Sequence, residues 1–130
     1  MEVNTARYDL EERTLEFARR VRIFLKKLPR SLLTTDDICQ LLRSSGSVGA
    51  NYVEANNSLS RKDLRMRIKI CRKEAKESSY WLRLIEVNHK SLEIEKAELL
   101  DESTQLMKIF GAILRNTQAD NTKARENFSK

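Results

Sequence analysis

Glycine and proline are scarce in this sequence, with 3 Gly and 1 Pro among 130 residues. Strands joined by tight turns need many more such residues, so their scarcity excludes a β-rich fold and favours long helices. Histidine is scarcer still. His89 is the single histidine, which leaves a histidine-based metal centre or a nucleophile–histidine pair without parts. The two cysteines, Cys39 and Cys71, have neither CxxC nor metal-ligand spacing. If the chain reverses near Ser58 to Ser60, they lie ~30 Å and ~18 Å from the turn at ~1.5 Å per helical residue. They do not meet within one hairpin, and both read as reduced thiols. No stretch approaches the roughly 20 apolar residues of a membrane span, and the opening Met1-Glu2-Val3-Asn4 has no apolar signal core. The expected location is cytoplasmic, with no membrane partner.

The residues that are abundant are charged or apolar: 34% charged, 40% hydrophobic, with a net charge of +6 and a pI near 9.5. A chain of this length makes one domain, burying roughly two-thirds of the surface exposed when unfolded, and needs no metal or disulfide to fold. The basic balance admits an anionic partner, but alone it speaks only to solubility. Its distribution has to decide.

Apolar residues recur at helical spacing in four segments. Residues 9–28 place Leu10, Thr14, Phe17, Val21, Phe24 and Leu28 on one stripe, and Pro29 ends it. Thr34 or Thr35 can cap a second helix over 35–57, with Asp36 and Asp37 in its first turn. Its inward positions are Ile38, Leu41, Leu42, Ser45, Val48, Gly49, Tyr52 and Ala55. Ser60 and Asp63 have capping-box spacing and open a third helix over 61–88, with Leu64, Ile68, Cys71, Ala75, Ser78, Leu82 and Ile85 inward. A fourth helix over 92–117 carries Leu99, Leu100, Ser103, Leu106, Phe110, Ile113 and Leu114, and a polar tail fills 118–130. Four amphipathic helices with short connections imply an all-α, up-and-down antiparallel four-helix bundle in a single domain.

Several blocks are familiar in order and spacing: Tyr8-Asp9-Leu10-Glu11-Glu12-Arg13-Thr14, Leu28-Pro29, the run from Leu41 to Ala55, Ser60-Arg61-Lys62-Asp63-Leu64, and the run from Lys73 to Leu82. Over roughly residues 8 to 115 the chain resembles the bacterial four helix bundle protein family, whose founding members are encoded in intervening sequences of the large-subunit ribosomal RNA gene. More distant relatives are accessory proteins of diversity-generating retroelements, which form pentameric rings and bind reverse transcriptase and RNA. The resemblance implies a four-helix subunit, a homopentameric ring, a role connected with nucleic acid and no catalysis. A protein partner such as a reverse transcriptase comes from the distant branch only.

Two motifs suggest other chemistry and fail on composition. Ser44-Ser45-Gly46-Ser47-Val48-Gly49-Ala50 lacks the spacing and the lysine of a phosphate loop, so its glycines read as a close helix approach. Glu86-Val87-Asn88-His89 matches half of a di-iron Glu-x-x-His pair, with no second copy. No metal, cofactor or catalytic residue is expected.

The third helix carries the strongest signal. At about 100° per residue, Arg61, Arg65, Lys69, Arg72, Lys76 and Arg83 fall within about 80° of one another, with Lys62 and Lys73 just beyond. Residues 61–76 hold eight Lys or Arg against Asp63 and Glu74, whereas 92–117 holds five acids against three bases. Such a stripe is either a solvated face or a phosphate-binding one; the lack of compensating i,i+4 acids along it favours the latter. Arg19, Arg20 and Lys26 or Lys27 are candidate helpers from the first helix. Met66, Ile70 and Trp81 lie about 140° to 200° from Arg61, which marks them as either an oligomer interface or the margin of a wide core. Counting outward from the second turn sets Arg43 level with Glu74 and Glu77, so an ion pair is expected there. Two functions remain open at this point: an oligomer that binds nucleic acid, structured RNA above all, or a scaffold presenting basic residues to a protein.

Overall fold

The computed structural model describes the backbone of residues 5–129 and the side chains of 9–118. Four helices follow in order: α1 (Thr5–Lys26), α2 (Leu32–Asn56), α3 (Arg61–Leu84) and α4 (Lys90–Ser129). There is no strand among the described residues. Each helix packs against its chain neighbours, α4 also closes back on α1, and α1–α3 and α2–α4 form the diagonals. Level pairs run in opposite directions, Ser44 with Ser78 and Asn51 with Arg67 across α2–α3, and Arg65 with Leu114 and Ser79 with Ser103 across α3–α4. The bundle is therefore antiparallel throughout.

The stripes read from the sequence meet in the middle. Phe17, Val21, Phe24, Leu41, Val48, Ile68, Leu82, Leu99, Leu106 and Phe110 are all almost completely buried. Each contributes ~1.5–3 kcal/mol of transfer free energy, which is what orders helices that would be marginal alone. Small residues set the spacing. Ser78 Oγ lies 2.9 Å from Ser44 Oγ on α2, and its neighbour Ser79 lies 2.5 Å from Ser103 Oγ on α4. A Cβ on Gly49 would stand 2.9 Å from Thr14 Oγ1, so only glycine admits α1 at this distance.

Several helix ends depart from the sequence expectation, while the start of α3 meets it. The α2 cap is Ser31 rather than Thr34 or Thr35. Thr34 N–H donates to Ser31 Oγ at 3.3 Å and Ser31 N–H to Thr34 Oγ1 at 2.8 Å. This capping box uses threonine where Glu or Gln is usual, and it shifts Asp36 and Asp37 out of the first turn. Ser60 caps α3 by accepting from Asp63 N–H at 3.1 Å. α3 stops at Leu84 rather than 88, because Ile85 turns extended and drops into the core while Lys96 Nζ takes its carbonyl at 2.6 Å. Beyond Thr117 the backbone stays helical to Ser129. That stretch contains neither glycine nor proline to stop it, although it has no apolar stripe.

Candidate nucleic-acid interface

α3 lies between α2 and α4, so one flank of it stays outward. On that flank Arg61, Lys62, Lys69, Arg72, Lys73, Lys76 and Arg83 are all exposed. From Lys62 to Arg83 the row extends ~32 Å along the axis. Arg65 leaves the row. It folds over α4, with Nη1 donating to Leu114 O at 2.7 Å and Thr117 Oγ1 at 2.5 Å, and Nη2 to Gln118 Oε1 at 3.0 Å. It shares the wheel angle of Arg83, but its guanidinium reaches across to the C-terminal part of α4 and acts as a clasp between helices. Arg67, half-buried on the other flank, donates to Asn51 Oδ1 at 3.0 Å.

Two of the acids on α3 beside the row are engaged elsewhere. Glu74 and Glu77 turn to Arg43 on α2, at 3.1 Å and 2.6 Å. The hydrogen bond that Arg43 donates to Glu77 is the main cause raising the Arg43 pKa above its ordinary value, with burial opposing. On α4, Glu102, Glu98 and Glu95 face Arg13, Arg20 and Lys27 of α1 at 2.8, 3.5 and 3.0 Å. The α1–α4 seam is thus a ladder of ion pairs. Two of the helper cations expected from the first helix, Arg20 and Lys27, are bound in that ladder, and Arg19 sits 3.7 Å from Glu16 on its own helix. Only the α4 carboxylates, brought alongside by the tertiary register, could have revealed this. Among the described residues Lys62, Lys69, Arg72, Lys73, Lys76 and Arg83 have no carboxylate within ion-pair distance.

Tyr80, which the sequence reading passed over, stands in the same row. It is 57% exposed, and its ring meets Trp81 edge-on at 89° with centroids 5.1 Å apart. Its position can be read on the helical wheel, since Tyr80 shares the angle of Lys62.

Of the three residues expected at an oligomer interface, Met66 is exposed, while Ile70 and Trp81 are half-buried. Trp81 packs against the core rather than standing away from it, because so large a ring at the flank of α3 reaches inward. Its Nε1–H has no acceptor among the described residues.

Elsewhere an open cleft of about 780 Å³ lies at the end of the bundle that holds the α2–α3 turn, floored by Leu10, Tyr52, Leu64, Ile68, Ile109 and Ile113. Its lining contains no histidine or cysteine. Burial pushes the Cys71 thiol up to about 12, so it stays protonated near neutral pH. No three of His, Cys, Asp and Glu gather as a metal site among the described residues. No helix among them is long and apolar enough to cross a membrane.

Residues 7–112 match the family described as 23S rRNA-intervening sequence protein. The chain belongs to the 23S rRNA-intervening sequence protein family. A solved structure from this same fold, a protein of unknown function from the S23 ribosomal protein family of Bacteroides thetaiotaomicron, is 29% identical. The similarity covers 81% of this chain and 97% of that one, with a TM-score of 0.69. No curated protein matches the chain. The family match covers α3 and its row of cations in full.

Proposed function

We propose that this intervening-sequence family protein binds RNA through the outward face of α3, with no chemistry of its own. The observation that supports the reading is the row Lys62, Lys69, Arg72, Lys73, Lys76 and Arg83, held without carboxylate partners on one rigid helix. Adjacent like charges cost a few tenths of a kcal/mol per pair unless an anion lies against them, and a phosphate backbone removes that cost. Arg61 extends the same face. The family's tie to a ribosomal RNA gene makes RNA the apt anion, and the cytoplasm its place of action. Self-association, pentameric by resemblance, would use the α2-side flank of α3 at Met66, Ile70 and Trp81 and multiply the face by avidity. The test is binding to an RNA panel at several salt concentrations. Affinity should fall steeply with salt, by about 0.7 to 0.9 in log–log slope per phosphate neutralised. Lys69, Arg72 and Lys76 replaced together by Gln should weaken all RNAs alike and flatten the slope; parent-like binding by that variant refutes the reading.

A further inference from the structure

The α3 face is not uniformly charged. Tyr80 interrupts it, with Lys76 one turn before and Arg83 one turn after. Among the described aromatics, Phe17, Phe24, Tyr52 and Phe110 are buried and Trp81 is half-buried, which leaves Tyr80 as the one that presents a ring to solvent. A single exposed apolar side chain is ordinary. Here, however, the ring is braced edge-on by an indole that is itself seated against the core. Bracing restricts its rotamers in advance, so little freedom remains to be lost when something stacks on it.

Resting on the RNA-binding reading above, we propose that Tyr80 is a stacking platform for an unpaired base, so that the ligand of α3 is RNA with unpaired nucleotides rather than continuous duplex. Every base has a π-face, and in a strand laid along α3 a base on Tyr80 has phosphates to either side, where Lys76 and Arg83 lie. In a duplex the base faces are hidden in the stack, and an outward helix meets only sugar and phosphate. The cations then supply affinity for any phosphate chain. Tyr80 supplies the preference for loops, bulges and single strands.

The test uses the full-length protein and three labelled probes of equal length: oligouridine, an abasic ribose–phosphate strand, and blunt duplex RNA. The parent should bind oligouridine roughly tenfold more tightly than the abasic strand. Tyr80→Leu should erase that difference and leave the abasic and duplex affinities unchanged, whereas Tyr80→Phe should preserve it. Trp81, the only tryptophan, should change emission with oligouridine and not with the abasic strand. If Tyr80→Leu binds oligouridine like the parent while the Lys69, Arg72 and Lys76 variant loses it, the platform is refuted and the basic face stands. Equal loss on all three probes would assign Tyr80 a structural part and also refute the platform. If the charge variant itself binds unchanged, both readings fall together.

Discussion

Replacing Arg43 by Ala removes one guanidinium and leaves two carboxylates behind. The arm to Glu77 joins an exposed arginine to a side chain 30% accessible, so it is a surface pair worth about 0.5 kcal/mol. The arm to Glu74 differs, because that side chain is only 9% accessible and its cation is its route to charge balance. Stranding a fully buried partner costs ~3–5 kcal/mol; Arg43 is itself half-exposed, water can follow it in, and the cost falls to about 1.5 kcal/mol. The sum is about 2 kcal/mol, a substantial part of the ~5–15 kcal/mol that holds a domain together. Urea unfolding of Arg43→Ala at pH 7, followed by helical circular dichroism, should show this as a lower midpoint at an unchanged slope. Arg43→Lys should lose about half as much, because one ammonium does not fork to two carboxylates. Adding Glu74→Leu to Arg43→Ala should recover at least about 1 kcal/mol, since the stranded charge goes with it. A loss below about 0.5 kcal/mol for Arg43→Ala, or no recovery in the double variant, would refute the view that Glu74 is buried at the cost of Arg43.

Two further outcomes follow from the clasp and the thiols. Arg65→Gln should cost about 1–2 kcal/mol and raise amide exchange in α4 around Leu114 to Gln118, while the salt slope of RNA binding stays as in the parent; a reduced slope with unchanged exchange would return Arg65 to the binding face. Native protein should expose one thiol to alkylation, Cys39, and two after unfolding. An unfolded thiol ionises near pH 9.0 and Cys71 at about 12, so its contribution is complete below pH 9 and is lost as pH rises from 9 toward 12. Cys71→Ala should flatten that part of the stability profile, and equal slopes in parent and variant would contradict the burial.

Helix number, order and most inward residues were legible because burial of a stripe requires a 3.6-residue repeat; Leu42 is an expected inward residue that is instead exposed. The Arg43 register was legible because a short turn lets residues be counted outward from it. Helix ends were not, since periodicity marks where packing occurs and not where hydrogen bonding stops. Ile85 continues the spacing of Leu82 although the helix has already ended, and residues after Thr117 lose the stripe while the helix continues. The basic row was visible on a wheel, yet Arg65 reaches α4 from the same angle at which Arg83 stays free, and a wheel of one helix contains no neighbour. Arg20 and Lys27 show the same limit: their partners Glu98 and Glu95 lie far along the sequence on α4, and no local rule connects them. Tyr80 was missed for a simpler reason. A lone aromatic among cations has no repeat to mark it.

The ladder closing α1 onto α4 also has a directional effect. By neutralising Glu95, Glu98 and Glu102 of α4 against α1, the ladder, together with the Arg43 pairs that engage Glu74 and Glu77, leaves the α3 row as an uncompensated positive face and gives the subunit an electric dipole. A polyanion exerts a torque on such a body before any contact is made. Under physiological salt this torque acts over roughly 8 Å, the screening length. Within that range an encounter that begins on the wrong side can rotate to present α3, so the orientation search is shortened. Three ion pairs on the far side of the bundle therefore influence how quickly the near side finds its ligand.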